Sequence, residues 1–162
     1  MASHSDATTG AEQWQQHLDP LEYDVLRNKA TEPRGGEYDA YFPADGHFAC
    51  RGCGRPLYSA AAKFKSGCGW PAFDKCFANS VDITEDKTLE PMRIEITCAG
   101  CDGHHGHVFA GEDMTPSNER HCVNSVSVLF VDSPSPLQEE TVTSTKKLAL
   151  CSTELQYVVE VK

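Results

Sequence analysis

Two short cysteine pairs, Cys50-Arg51-Gly52-Cys53 and Cys98-Ala99-Gly100-Cys101, constrain this chain more than any other feature. Each is a C-x-x-C knuckle with glycine inside it, and together they offer four thiolates, the set that zinc accepts in a tetrahedron with Zn–S of about 2.3 Å. Small residues let the backbone turn tightly enough for both sulfurs of a knuckle to face one ion. A single C-x-x-C is also a dithiol redox motif, but that use expects a βαβ context and a helix start, and neither knuckle has them. The doubled motif therefore predicts one structural zinc held by Cys50, Cys53, Cys98 and Cys101. Four protein sulfurs leave the ion no open position, so it is expected to act as a staple and not as a catalyst. It would pin together the ends of a 44-residue insert, residues 54–97, and make strands at Phe48–Cys50 and Ile94–Cys98 neighbours.

The use of cysteine depends on compartment. The N-terminus, Met1-Ala2-Ser3-His4-Ser5-Asp6, shows neither a basic nor an apolar leader region, and the first arginine is Arg27. A cytoplasmic protein is expected, in which eight cysteines stay reduced and bind metal, do redox chemistry or pack. Twenty-four acidic against fourteen basic side chains give a formal charge of −10, which repels nucleic acid and anionic lipid. No unbroken apolar stretch exceeds four residues, whereas a spanning helix needs about 20.

The 162 residues suit one domain. Residues 1–10 are small and polar and read as disordered. Asp19-Pro20 is a helix-start signal, and Leu21, Val25 and Leu26 form an apolar stripe, predicting a short helix over 19–30. Another is expected around Ala11–Leu18, with Trp14 and Leu18 on one face. From Ala40 the chain reads as strands and turns. Met92, Ile94, Ile96 and Cys98 alternate with Arg93, Glu95 and Thr97, as in a half-buried strand, and Val126, Val128 and Phe130 alternate likewise. Ser133-Pro134-Ser135-Pro136 is expected to end a compact region over 11–131. The extension 132–162 carries strand-like alternation at Leu155, Tyr157, Val159 and Val161.

Four cysteines remain outside the knuckles, and four of the seven histidines, His104, His105, His107 and His121, fall within eighteen residues. Any one of these histidines is more often a satisfied core or surface residue than a ligand. Arg120-His121-Cys122-Val123-Asn124 precedes an apolar strand, and period-2 geometry places Arg120, Cys122 and Asn124 on one face. A thiol between a fixed cation and an amide donor should ionise more readily than a free one, of pKa about 8.5. The alternative is an inert cysteine at the start of a core strand. Cys68 lies in Ser66-Gly67-Cys68-Gly69-Trp70-Pro71, a loop on which it is either a bystander or a thiol able to meet another. Trp70 is a core residue or a pocket wall. Cys76 and Cys151 read as incidental, with a second resolving or regulatory thiol as the alternative for Cys151.

Together these motifs resemble the B-type methionine sulfoxide reductases over about Leu21 to Phe130. The resemblance runs through Tyr23-x-Val25-Leu26-Arg27, Thr31-Glu32-Pro33, Cys50-x-x-Cys53, Lys63-Phe64-x-Ser66-Gly67-Cys68-Gly69-Trp70-Pro71 and Cys98-x-x-Cys101. It closes on His104-x-Gly106-His107-Val108-Phe109 and Arg120-His121-Cys122-Val123-Asn124-Ser125. It implies a mainly β fold of two small antiparallel sheets with short N-terminal helices, and reduction of the R epimer of methionine sulfoxide in oxidised proteins. It further implies Cys122 as nucleophile, Cys68 as resolving thiol and Trp70 against the substrate methyl group. His104, His107, Arg120 and Asn124 would line the site, a thioredoxin-like dithiol would recycle it, and the protein would act as a monomer. Three positions depart from the family's usual residues: His105 for Leu, His121 for Tyr and Ala72 for Ser. A zinc-stapled β module that only binds a ligand or protein is the competing reading, since fold does not fix function.

Overall fold

The computed structural model describes residues 11–88 and 93–142. The expected disorder of 1–10, the alternation at 155–161 and Cys151 lie outside them. Two helices open the chain, α1 (Ala11–His17) and α2 (Pro20–Asn28). Helix α2 starts on a capping box: Asp19 Oδ1 accepts from the Glu22 N–H at 2.8 Å, and Glu22 Oε1 accepts from the Asp19 N–H at 2.9 Å. Two otherwise unpaired donors are thereby satisfied. Lys29 ends the helix in the left-handed region. Trp14, Leu18, Val25 and Leu26 are buried as the stripe predicts, but Leu21 is 42% exposed.

The rest is antiparallel β structure, as expected. Strands β1 (His47–Cys50) and β2 (Pro56–Ser59) are followed by the short β3 (Lys63–Phe64), β4 (Ala72–Phe73) and β5 (Cys76–Phe77). The longer β6 (Val81–Asp86), β7 (Arg93–Cys98), β8 (His104–Ala110) and β9 (Glu119–Val123) come next, then β10 (Val128–Val131) and β11 (Glu139–Glu140). One sheet has the order β3-β4-β9-β8-β7-β6, a second the order β10-β1-β2, and β11 pairs with β5 alone. Phe48 and Tyr58 of the smaller sheet meet Phe73 of the larger, with ring centroids 5.3 and 4.3 Å apart. All three rings are buried. The core sits between the two sheets.

Strands β1 and β7 belong to different sheets, so the knuckles bring their ends together without pairing them, which corrects the expectation of neighbouring strands. Strand β7 is also not half-buried: after Arg93 every residue is buried, Glu95 and Thr97 included. Its polar face is covered because Lys29, beyond α2, reaches Glu95 at 3.0 Å and His104 meets the same carboxylate.

The apolar segment from Val126 is shorter as a strand than its alternation predicts, because Ser125–Ser127 form a 3-10 turn. The buried Glu32 carboxylate causes this by accepting from the Ser125 N–H at 2.6 Å and the Val126 N–H at 3.0 Å. Glu32 also accepts through its carbonyl from Trp70 Nε1 at 3.0 Å. Its own N–H donates to Asn124 Oδ1 at 2.9 Å. One residue thus ties three separated segments together. Glu32→Ala is expected to cost about 3 kcal/mol by stranding two buried donors, read as a lower urea midpoint with an unchanged slope.

Residues 132–142 stay on the body. Strand β11 pairs with β5, Ser59 Oγ donates to Glu139, and the buried Val142 donates its N–H to Glu119 at 3.0 Å.

Candidate active site

The two knuckles are built alike. In each, the first cysteine's carbonyl accepts from the N–H four residues on (Gly54, Asp102), and its N–H donates to the carbonyl five residues on (Arg55, Gly103). The residue in left-handed conformation is the fifth of each loop, Gly54 or Asp102, and not the glycine inside the pair. Gly100 is needed instead for close approach, since a side chain there would crowd the Cys53 sulfur at 3.2 Å. Cys50 Sγ lies 3.7 Å from Cys101 Sγ, and Cys53 Sγ lies 3.5 Å from Cys98 Sγ. All four sulfurs fall within 4.8 Å of one another. A tetrahedron with metal–sulfur bonds of 2.3 Å has sulfur–sulfur edges of about 3.8 Å, so the four thiols fit a single metal ion. Among the described residues no other such group of three or more occurs. Arg27 Nη1 donates to the Cys101 carbonyl at 2.9 Å while its guanidinium covers Trp14 at 4.5 Å, fastening the helices to this corner.

The second cysteine site lies elsewhere, in a cleft of about 360 Å³ beside β8 and β9. Alternation along β9 turns Arg120 and Cys122 to the cleft and buries Glu119, His121 and Val123. The register sets His107 opposite Cys122 and Phe109 opposite Arg120, so β8 supplies the other half of the same surface. Gly106 permits this contact, since a side chain there would run into the Cys122 carbonyl oxygen.

Cys68 comes from the glycine-rich loop before β4, and its sulfur lies 3.8 Å from that of Cys122. Sequence could not show that these thiols meet. Strand β4 supports the meeting by pairing Ala72 with Cys122. Trp70 lines the cleft two residues past Cys68, half-buried and held through its indole N–H by Glu32. Cys76 is buried in the core with its sulfur 3.6 Å from the Glu140 carbonyl.

The thiols share a proton. The hydrogen bond with Cys122, above all else, draws Cys68 down to about 5, in spite of burial. The same hydrogen bond, and then burial, push Cys122 up, with Arg120 pulling the other way. These opposed shifts favour ionisation of Cys68 over Cys122 within the pair. This differs from the expectation for Cys122 alone, because its nearest polar neighbour is another thiol. In Cys122→Ala, Cys68 loses that donor. Its alkylation by iodoacetamide, half-maximal near pH 5 in the parent, should shift upward by about one unit or more. Peptide mapping of the modified thiol measures this.

His104 and His107 both line the cleft, with rings 5.5 Å apart. His104 Nδ1 is 2.7 Å from Glu95 Oε2, which leaves Nε2 as its free nitrogen. Burial works against the Glu95 charge, but hydrogen bonds from His104 and Lys29 outweigh it and hold the carboxyl below its usual range. His107 Nε2 is 2.8 Å from Asp86, yet burial, the larger effect, pushes His107 below its ordinary value. Arg120 is clamped by Glu112 at 2.7 and 3.1 Å and lies 4.4 Å over the Phe109 ring. Asn124 lies one residue past the end of β9 but lines the cleft together with Arg120 and Cys122, as expected. Its amide is spent on the Glu32 N–H and the His105 carbonyl.

The unusual histidines face away from the cleft. His121 is fully buried between Tyr58 (3.0 Å) and Glu119 (2.9 Å), and His105 is held by Ser127 at 2.9 Å. Sequence reading passed over Glu32, Asp86 and Glu95. Glu95 carries no local signal, because its alternation with Ile94 and Ile96 reads as solvent-facing.

Comparison with known proteins agrees with this architecture. A SelR domain model matches residues 18–132. The chain is 48% identical over 135 residues to "Peptide methionine sulfoxide reductase B5" of Oryza sativa subsp. japonica, covering 80% of this chain and 97% of that protein. It is 51% identical over 121 residues to the Arabidopsis thaliana "Peptide methionine sulfoxide reductase B5", covering 74% and 85%. It is 52% identical over 122 residues to the rice "Peptide methionine sulfoxide reductase B3, chloroplastic", covering 74% of this chain but spanning only about half, 52%, of that longer relative. With a SelR domain over most of its length and near 50% identity to relatives that it matches almost end to end, the chain belongs to the peptide methionine sulfoxide reductase B family.

Proposed function

We propose that this protein reduces the R epimer of protein-bound methionine sulfoxide, using Cys122 as nucleophile and Cys68 as resolving thiol. The observation that carries this reading is the 3.8 Å contact of the two sulfurs beside Trp70 in a cleft that also holds His104 and His107. Once the shared proton has moved to Cys68, the Cys122 thiolate attacks the sulfoxide sulfur. The oxygen needs a proton to depart, and His104, oriented by Glu95, supplies it through Nε2. Burial favours the neutral form of His107. The sulfur–sulfur bond made by this attack then breaks as the protonated oxygen passes from the substrate sulfur to the Cys122 sulfur, giving a sulfenic acid and methionine. Cys68 then displaces hydroxide, which leaves as water, and a disulfide forms. A thioredoxin-like dithiol returns both thiols by exchange. Trp70 receives the substrate methyl group, while Arg120 favours negative charge on Cys122. Asn124 lines the site chiefly by holding the turn after it.

Cys50, Cys53, Cys98 and Cys101 hold one zinc ion, which supplies folding free energy and no chemistry because no coordination position is open. A reducing compartment such as the cytoplasm suits these free thiols, and the protein acts as a monomer on oxidised proteins. Incubation with the separate methionine R- and S-sulfoxides and dithiothreitol should consume the R epimer alone. Persistence of both would leave the reading of a non-catalytic binding module. Glu95→Gln should lower kcat about ten-fold and reshape the pH–rate profile with little change in KM, because it loosens the proton donor and leaves the binding wall intact.

A further inference from the structure

We infer that the cleft selects methionine sulfoxide in acidic sequence surroundings, a preference set by Arg34 and Arg93. The inference rests on the proposed reductase reading and names its substrate class. The chain carries a formal charge of −10, yet no residue lining the cleft is Asp or Glu, and three arginines line it together with His104 and His107. Arg120 is committed to Glu112. Arg34 and Arg93 are exposed and make no ion pair among the described residues. Both are nevertheless placed. The Arg34 stem packs on Gly69, where an added side chain would meet its Cγ at 2.8 Å, and its guanidinium lies 5.3 Å over Trp70. Arg93 lies 5.7 Å over Phe109. Asp86, its cross-strand partner, spends a carboxylate oxygen on His107.

Two guanidiniums resting on aromatic walls of a cleft without carboxylates form a local positive rim on an acidic protein. An extended peptide that brings its sulfoxide to Cys122 must pass its flanking side chains over this rim. Aspartate or glutamate near the oxidised methionine gains an ion pair there, and lysine meets repulsion. An exposed pair of this kind is worth about a three-fold effect, so two give about ten-fold, and salt weakens both. The Arg34 stem is part of the loop register around Gly69, so glutamine, which keeps most of that stem, is the suitable replacement.

The test uses three peptides of equal length with a central methionine R-sulfoxide flanked by Asp, Ser or Lys, reduced with dithiothreitol at low and high salt. The Asp peptide should exceed the Lys peptide about ten-fold in kcat/KM at low salt and come within about two-fold at high salt. Arg34→Gln with Arg93→Gln should remove that preference and leave the Ser peptide within about two-fold of the parent. Affinities of the same peptides for the Cys122→Ala protein, by fluorescence anisotropy, should follow the same order without turnover. Equal turnover of all three peptides overturns the inference while leaving the reductase reading standing, as does a preference that survives the double substitution. If no peptide is reduced, the reductase reading fails, and the affinity order alone decides whether the rim selects acidic segments.

Discussion

Cys122→Ser should lower methionine sulfoxide reduction by about 10⁴-fold or more if, as proposed, Cys122 is the nucleophile, because a serine hydroxyl is a far weaker nucleophile than a thiolate. The only other sulfur in the cleft, Cys68, comes from the loop and not from the strand that faces His107 and Phe109. Cys68→Ser has a different consequence. It should still form about one methionine per protein, since in the proposed sequence the sulfenic acid arises before the second thiol is needed, and should then stop when a thioredoxin-like dithiol is the reductant. A burst of methionine read by chromatography, followed by loss of steady turnover, separates the two roles. Sustained turnover in Cys68→Ser would remove it from the resolving position, and residual activity near the parent's in Cys122→Ser would move the nucleophile elsewhere.

Removing the metal that these four thiols fit should have the next largest effect. Three of the four knuckle sulfurs are buried, and the corner they form joins β1 of one sheet to β7 of the other while also carrying the helices through Arg27. Without an ion, four thiols packed within 4.8 Å crowd one another with no countercharge. A chelator at neutral pH, or Cys50→Ser or Cys98→Ser, should lower Tm by about 10 °C or more, as expected when several kcal/mol of structural binding free energy is lost. The metal content of the purified protein should be near one zinc per chain. A protein that contains no zinc and melts unchanged with a chelator would leave these cysteines as packing residues.

Both predictions draw on features visible in the sequence in different degrees. The knuckles were legible because metal ligation needs particular residues at short local spacing, and the helix starts because capping is local. The β9 alternation was legible for Arg120 and Cys122, as period 2 requires only the strand itself. Asn124 lies past the strand's end, where Glu32 captures the next two backbone N–H groups, yet it lines the same cleft as Arg120 and Cys122. The Cys68–Cys122 contact could not be read, since it depends on how β4 docks against β9. Glu95 was hidden by its own pattern. A charged residue alternating with Ile94 and Ile96 reads as solvent-facing, and only Lys29 and His104, brought from distant segments, make its burial tolerable.

The thiol pair also shows how geometry changes a local expectation. Arg120 favours ionisation of Cys122 as its neighbourhood in sequence implies, but the hydrogen bond from Cys122 to Cys68 outweighs it. The result is a thiol pair whose negative charge is drawn towards Cys68 and not only towards Cys122.

The most direct test is a single turnover without external reductant. Reduced, metal-loaded protein is mixed with a slight excess of methionine R-sulfoxide, quenched in acid, and mapped by mass spectrometry after blocking free thiols. The account predicts one methionine formed for every two thiols lost, with a single disulfide joining Cys68 to Cys122. Methionine appearing while both of those thiols remain free, or a disulfide drawn from other cysteines, would contradict it.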